Sequence, residues 1–220
     1  SFQKDQSDET YTYLICTICP VKQTKANLHY VAEEKLFHDG GITNVIASND
    51  YTIRYIFQVY NANKTEWKAP VYQYTDDTRV SFPVRLVPGR NYRFVVWADF
   101  VKEGTQVDLH YNTTNLKSVE TITLAAIDES RDAYTAYEVI NYSNTANIAL
   151  TLTRPFAKLR VVTNDIKEMI SIRPSVVKVN YFSTKFYTAF DALYENPIDQ
   201  TYNGHTLTVN LAEDFYANER

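Results

Sequence analysis

The chain has 220 residues, with 22 Lys+Arg against 26 Asp+Glu and a formal net charge of -4. That balance argues against a nucleic-acid binder, which carries a clustered basic surface, and 5 glycines leave little material for phosphate-cradling loops. The 18 tyrosines and 11 phenylalanines, with frequent Thr, Val and Ile, suit pleated, half-buried surfaces and predict an all-β protein.

The first ten residues are polar and charged, unlike a signal peptide, so a mature or trimmed form is expected. Tyr11 to Ile18 alternates, with Leu14, Cys16 and Ile18 on one face, and the uncharged run to Val21 is too short to span a bilayer as a helix. Cys16 and Cys19 read as structural thiols. Three residues apart on an extended strand, they sit roughly 10 Å apart on opposite faces, so a local disulfide needs the strand to turn there. No second cysteine pair completes a zinc site.

Residues 20–48 are less regular, with a turn expected at Asp39-Gly40-Gly41. Tyr51 to Tyr60 is a strong strand signal, with Tyr51, Ile53, Tyr55, Phe57 and Val59 on one face and Thr52, Arg54 and Gln58 on the other. Val71 to Tyr74 and Val80 to Leu86 are further strands, and Pro83 places the second at an edge or a bulge. Asn91 to Val101 is apolar at nearly every position, as in a central strand covered on both faces. Val107 to Tyr111 and Glu120 to Ala125 predict short strands, and Asp128 to Tyr137 one or two helical turns capped by Asp128 or Ser130. The polar stretch 141–147 is the expected domain boundary, giving domains at 1–147 and 148–220. Beyond it, alternation predicts strands at 148–153, 156–163, 175–182 and 186–190, with a short helix at 164–170. Asn203-Gly204 predicts a hairpin before the alternating Leu207, Val209 and Leu211. Short strands at this spacing read as β-sandwiches and not as βαβ units.

Catalytic motifs are not found: no Gly-x-Ser-x-Gly, no His-Glu-x-x-His, no P-loop and no dinucleotide fingerprint. His29, His38, His110 and His205 lack metal-ligand spacing, so no catalytic, cofactor or metal set is expected. Asp99 stands out, because a carboxylate inside the apolar Trp97 strand needs a partner such as an arginine or backbone amides.

Three stretches together resemble the fimbrillin-like surface proteins of Bacteroidetes: Tyr92–Phe100 (YRFVVWADF), Arg131–Tyr134 (RDAY) and Leu150–Val162 (LTLTRPFAKLRVV). The resemblance implies two transthyretin-like β-sandwich domains on an exported lipoprotein of the cell surface. It implies trimming after Arg or Lys, loss of a leading strand, and filling of the opened groove by a strand of the next subunit, giving a pilus. Partners would be copies of the chain or related subunits, with the outer membrane reached through a lipid anchor removed from the chain. About 70 residues follow Asn147, short for a seven-stranded sandwich. The second domain is therefore expected to be reduced, completed by a partner strand, or cut at Arg220.

Two sets of candidate residues follow. For assembly, Tyr11, Tyr13 and Ile15, or Leu14, Cys16 and Ile18, would line one edge, and Leu207, Val209 and Leu211 would form a donated or accepting strand. The alternative is a surface-tethered module binding glycan or host protein through loop aromatics Trp67, Tyr72 and Tyr74. A hydrolase would require two carboxylates from separate strands meeting in one cleft.

Overall fold

Strand-forming side chains on both faces of Tyr51–Asn61 and Arg90–Lys102 place these two segments between two other layers of sheet. The computed structural model describes residues 8–19, 41–122, 128–156, 176–181, 185–201 and 205–210. In chain order these form β1 (Thr10–Ile18), α1 (Gly41–Ala47), β2 (Tyr51–Asn61), β3 (Val71–Thr75), β4 (Arg79–Leu86), β5 (Arg90–Lys102), β6 (Tyr111–Asn112) and β7 (Val119–Thr121). A single 3-10 turn (Glu129–Arg131) precedes β8 (Ala133–Tyr142), β9 (Asn147–Leu152), β10 (Val176–Tyr181), β11 (Lys185–Asp191), β12 (Asn196–Thr201) and β13 (His205–Asn210). The architecture is all-β, with sheets ordered β4-β1-β9, β3-β2-β5-β8, β12-β11-β7-β6 and β10-β13.

The first core lies between β4-β1-β9 and the central sheet β3-β2-β5-β8. Ile53, Tyr55, Phe57 and Val59 of β2 and Tyr92, Phe94 and Val96 of β5 meet Leu14, Cys16 and Ile18 of β1, Phe82 and Leu86 of β4, and Leu152 of β9. Phe57 is its ring centre, 5.0 Å edge-on from Phe94 and 5.4 Å from Phe82. Burial pushes the Cys16 thiol up to about 12, so it stays protonated and inert. Ile42 and Val45 of α1 close one end of this core.

The opposite face of the central sheet is covered too. Ile56, Tyr60, Val95 and Trp97 pack on Tyr111, Leu116, Val119, Ala192 and Leu193, which come from β6, β7 and the β11–β12 connection. Alternation alone would leave the Thr52, Arg54 and Gln58 face to water, yet all three are buried by this third layer. β5 is hydrogen-bonded to β2 and β8 along its length, the central position its unbroken apolar run implied. β4 lies at a sheet edge, where Pro83 is tolerated.

Several expectations are corrected. Asp128 does cap a helical turn, its carboxylate accepting from Ser130 N, but the turn ends at Arg131 and Ala133–Tyr142 is a strand paired to β5. The Tyr134, Ala136 and Tyr142 side chains enter the first core, and that burial outweighs the local helix signal. Strand structure near 107–111 is confined to Tyr111–Asn112, because the preceding loop is folded around Asp108. Asn141 and Tyr142 belong to β8, and β9 pairs in parallel with β1, so residues 147–152 join the first sheet. The strands flanking Asn203-Gly204 pair with β11 and β10, not with each other. The hairpin lies instead at 192–195, where Glu195 takes a φ of 52° and the Asp191 carboxylate accepts from Leu193 N and Tyr194 N. A short helix at 41–47 replaces the expected turn, driven by Ile42 and Val45 on one face. The expectations for 157–163, for the helix at 164–170 and for Leu211 lie outside the described residues.

Candidate functional site

Cross-strand register sets up the most distinctive cluster of side chains. Tyr74 of β3, Arg54 of β2 and Asp99 of β5 are successive partners across the central sheet, so their side chains line one face in a row. Arg54 Nε and Nη2 donate to Asp99 Oδ1 and Oδ2 at 2.8 and 2.6 Å, and Nη1 donates to Asp108 Oδ1 at 2.6 Å. Arg54 and Asp99 are 2% and 1% exposed, so this ion pair is sealed from water. Burial pushes the Asp99 carboxyl up, and the Arg54 fork opposes that shift and keeps the pair ionic at neutral pH. Burial also works against charge on Arg54, but Asp99 and Asp108 hold the guanidinium protonated.

Asp108 carries this network outward. Its Oδ1 also accepts from Thr113 Oγ1 at 3.0 Å and its Oδ2 from Thr113 N at 3.2 Å, while 27% of its side chain reaches solvent. Above it lies an open cleft of about 610 Å³ lined by Arg54, Tyr72, Tyr74, Gln106, Asp108, Thr113 and Thr114. Tyr72 is 44% exposed, and burial raises the pKa of Tyr74 while Arg54 opposes the rise.

The structure therefore brings Tyr72 and Tyr74 together but on a strand, not a loop. Trp67 is elsewhere. It packs on the first core, edge-on to Tyr92 at 5.5 Å, and its backbone N–H donates to Val59 O. The Asp99 partner was foreseeable from its apolar surroundings. Asp108 and Thr113 were not, because their link to Arg54 spans three separate segments.

Of the assembly candidates, Leu14, Cys16 and Ile18 face the core, while Tyr11 and Tyr13 stand 58% and 49% exposed and Ile15 is half-buried. β1 has no open edge, since β4 and β9 flank it. Leu207 and Val209 pair in β13 with Val179 and Val177 of β10.

Two other polar clusters were weighed as chemistry. Ser130 Oγ donates to Asp128 at 2.5 Å, so it accepts from His110 Nε2 at 2.8 Å. The acid thus sits on the serine and not behind the imidazole, where a nucleophilic triad needs it. Ser130 is also 2% exposed, so the cluster works as a cap. Asp132 accepts from Arg154 Nε and Nη2, each at 2.6 Å, and from Tyr134 Oη at 2.9 Å. That contact ties the RDAY stretch to the LTLTRPF stretch and clamps the end of β9 onto the start of β8. No cluster of three or more His, Cys, Asp or Glu suited to a metal occurs among the described residues. No helix among them is long and apolar enough to cross a membrane.

The His110 cluster makes a pH prediction. His110 Nδ1 is buried with no partner among the described residues. Burial lowers the His110 pKa, Asp128 opposes the shift, and Arg131 and Lys102 add to it. The folded value lies below the unfolded one, so His110 costs no stability above about pH 6.5 and destabilises as pH falls through the lowered folded value. Urea midpoints measured between neutral and mildly acid pH should fall more steeply for the wild type than for His110→Gln. Parallel pH curves would refute this.

No curated protein and no solved structure matches the chain. A family model, "Family of unknown function (DUF6562)", matches residues 7–220. With nearly its whole length matched, the sandwich, the buried Arg54–Asp99 pair and the cleft above it all lie within the matched span, and the chain belongs to this family of unknown function.

Proposed function

We propose that the chain is an exported structural subunit of a bacterial surface filament, assembled by exchange of a strand between neighbouring copies or related subunits. On this reading the sandwich is of the transthyretin-like kind, and the mature protein sits at the cell surface after passage through the periplasm. The observation that carries the reading is the place of β1. It comes first among the described strands, yet it is the middle strand of β4-β1-β9, antiparallel to β4 and parallel to β9.

In that sheet β4 and β9 are joined through β1 alone. Withdrawing β1 leaves a strand-wide slot with two rims of unpaired backbone groups and an apolar floor that includes Phe57 and Phe82. Such a slot accepts an alternating apolar strand running in the direction of β1. Leu14, Cys16 and Ile18 are each buried, and a fully buried Leu or Ile contributes about 1.5–3 kcal/mol, so a vacated subunit is driven to take a replacement. Lys22, Lys25 and Lys35 stand between β1 and α1 in sequence and give a Lys-specific protease places to cut. Leu207, Val209 and Leu211 provide a candidate donor pattern. A head-to-tail exchange of this kind does not close on itself, and a fibre results.

Trypsin treatment of the purified chain, followed by size-exclusion chromatography and electron microscopy, tests the reading. The expected result is release of a peptide containing Thr10–Ile18 and growth of oligomers, arrested by excess synthetic Thr10–Ile18 peptide. A chain cut between β1 and α1 that stays monomeric with β1 in place overturns it. So does growth that the peptide leaves unchanged.

A further inference from the structure

We propose that the cleft over Arg54 and Asp108 is a binding site for a neutral hexose unit of a glycan, with Tyr72 and Tyr74 as the stacking surface and Asp108 as the fixed hydroxyl acceptor. The site is separate from β1 and its slot, so it stands or falls independently of filament assembly.

Three features select this ligand. The first is the pair of tyrosines. Tyr72 and Tyr74 are two apart on β3, a strand at the edge of the central sheet, so both rings lie on the same side. Tyr72 is half exposed and not covered by the third layer. An aromatic ring in that position offers an apolar face to the C–H face of a pyranose and a phenol to its hydroxyls.

The second is preorganisation. Asp108 is held from behind by Arg54 Nη1, Thr113 Oγ1 and Thr113 N, and Arg54 is itself locked on Asp99. Oδ1 takes two of these three contacts, while Oδ2 accepts the Thr113 N–H alone and keeps a lone pair for a ligand hydroxyl. The carboxylate does not need to be ordered on binding, which removes part of the entropic cost. Gln106 and Thr114, both exposed at the rim, add an amide and a hydroxyl that can donate or accept.

The third is charge. Two carboxylates, Asp99 and Asp108, share one guanidinium, so the cluster is net negative and disfavours sialylated, sulfated or phosphorylated ligands. The polar lining disfavours an apolar ligand, and the one other carboxylate nearby, Asp99, is sealed on Arg54. The cleft thus holds one accessible carboxylate where glycoside hydrolysis by the usual route needs two. Binding without cleavage is the chemistry that remains.

The test is a titration of the full chain by two-dimensional amide NMR with methyl glucoside, methyl galactoside, methyl mannoside and N-acetylglucosamine, up to about 50 mM, beside an array of neutral and sialylated glycans. A shallow site for one hexose implies dissociation constants on the order of millimolar for the monosaccharides. Saturable shifts at Gln106–Thr114 and in β3 with at least one neutral sugar are expected. Tyr72→Ala should weaken binding about tenfold or more with an unchanged urea midpoint, because Tyr72 stands outside both cores. Asp108→Asn should weaken it comparably, and Tyr13→Ala, an exposed tyrosine on the outer sheet, should leave it unchanged. No saturable shift with any of the sugars and no hit on the array overturns the proposal. Binding that survives Tyr72→Ala, or a preference for sialylated glycans, also overturns it. The same shifts produced by a lysine-rich peptide and by none of the sugars would assign the cleft to a cationic partner and overturn it as well.

Discussion

Replacing Arg54 with methionine is expected to lower the unfolding free energy by about 3–5 kcal/mol. The side chain is buried, and its guanidinium is the counter-charge of Asp99. Methionine fills much of the same space but leaves the Asp99 carboxylate sealed and without that charge. The cost is the desolvation of a lone carboxylate, not the loss of two ordinary hydrogen bonds. Asp99 would then take a proton at a higher pH, and Arg54→Met should become less stable relative to wild type as pH rises. A companion variant separates pair from packing. Arg54→Met combined with Asp99→Leu removes both charges and should recover most of the loss, because a buried ion pair replaced by apolar groups of similar volume is often neutral or stabilising. Urea denaturation of the two variants decides the matter. A single-variant loss below about 1 kcal/mol, or a double variant no better than the single one, would show that Arg54–Asp99 is not the isolated buried pair its geometry describes.

The second large effect is expected at Trp97. Its ring is 1% exposed, stands edge-on to Tyr111 at 5.5 Å and lies 6.3 Å from Phe190. Trp97→Ala should cost about 3–5 kcal/mol through lost burial and the cavity left behind. The cost should fall unevenly across the molecule. Trp97 joins the central sheet to β6 and β11, whereas Phe57 serves the first core with Phe82 and Phe94. Trp97→Ala should therefore make β11 and β12 sensitive to protease while the first sandwich still protects β5 amides from hydrogen exchange. Phe57→Ala, of similar size, should expose both regions together. Identical protection patterns in the two variants would mean that the layers unfold as one unit.

How much of this was readable beforehand depends on the range of each interaction. β5 was legible because a strand covered on both faces has to be apolar at nearly every position, and Tyr92 to Val101 is. Asp99 was legible as a group needing an arginine because a lone carboxylate in such a run is too costly. The partner's identity was partly visible too, since Arg54 is the matching exception in β2. What the sequence could not convey was the third layer. Alternation in β2 marks two faces but does not say whether the polar one meets water or another sheet.

Local signals misled where tertiary burial outweighed them. The Asp128 cap is real, but Tyr134, Ala136 and Tyr142 gain more as a strand in the first core than as the continuation of a helix. Trp67 reads as an exposed loop aromatic in sequence, yet its ring finds Tyr92. The cleft was half legible. Tyr72 and Tyr74 were visible as a pair, while the Asp108–Thr113 loop that completes it carries no motif. The hairpin at 192–195 was missed because a glutamate, not a glycine, takes the left-handed backbone there, supported by the Asp191 side chain.

The parallel ladder between β1 and β9 also bears on the order in which the molecule folds. Thr10 and Tyr142, which share a hydrogen bond, are 132 residues apart in the chain, and β9 lies further on still. The strand made first can therefore find its second neighbour only after most of the chain has emerged. Contacts of this sequence separation slow folding, placing it in the millisecond-to-second range typical of all-β topologies. Until residue 152 is available, the apolar stripe of β1 has no complete seat, and during that interval the nascent chain presents a sticky strand at its leading end. A cell that makes this protein needs a factor to shield that strand, or a fast route across the membrane before the ladder closes.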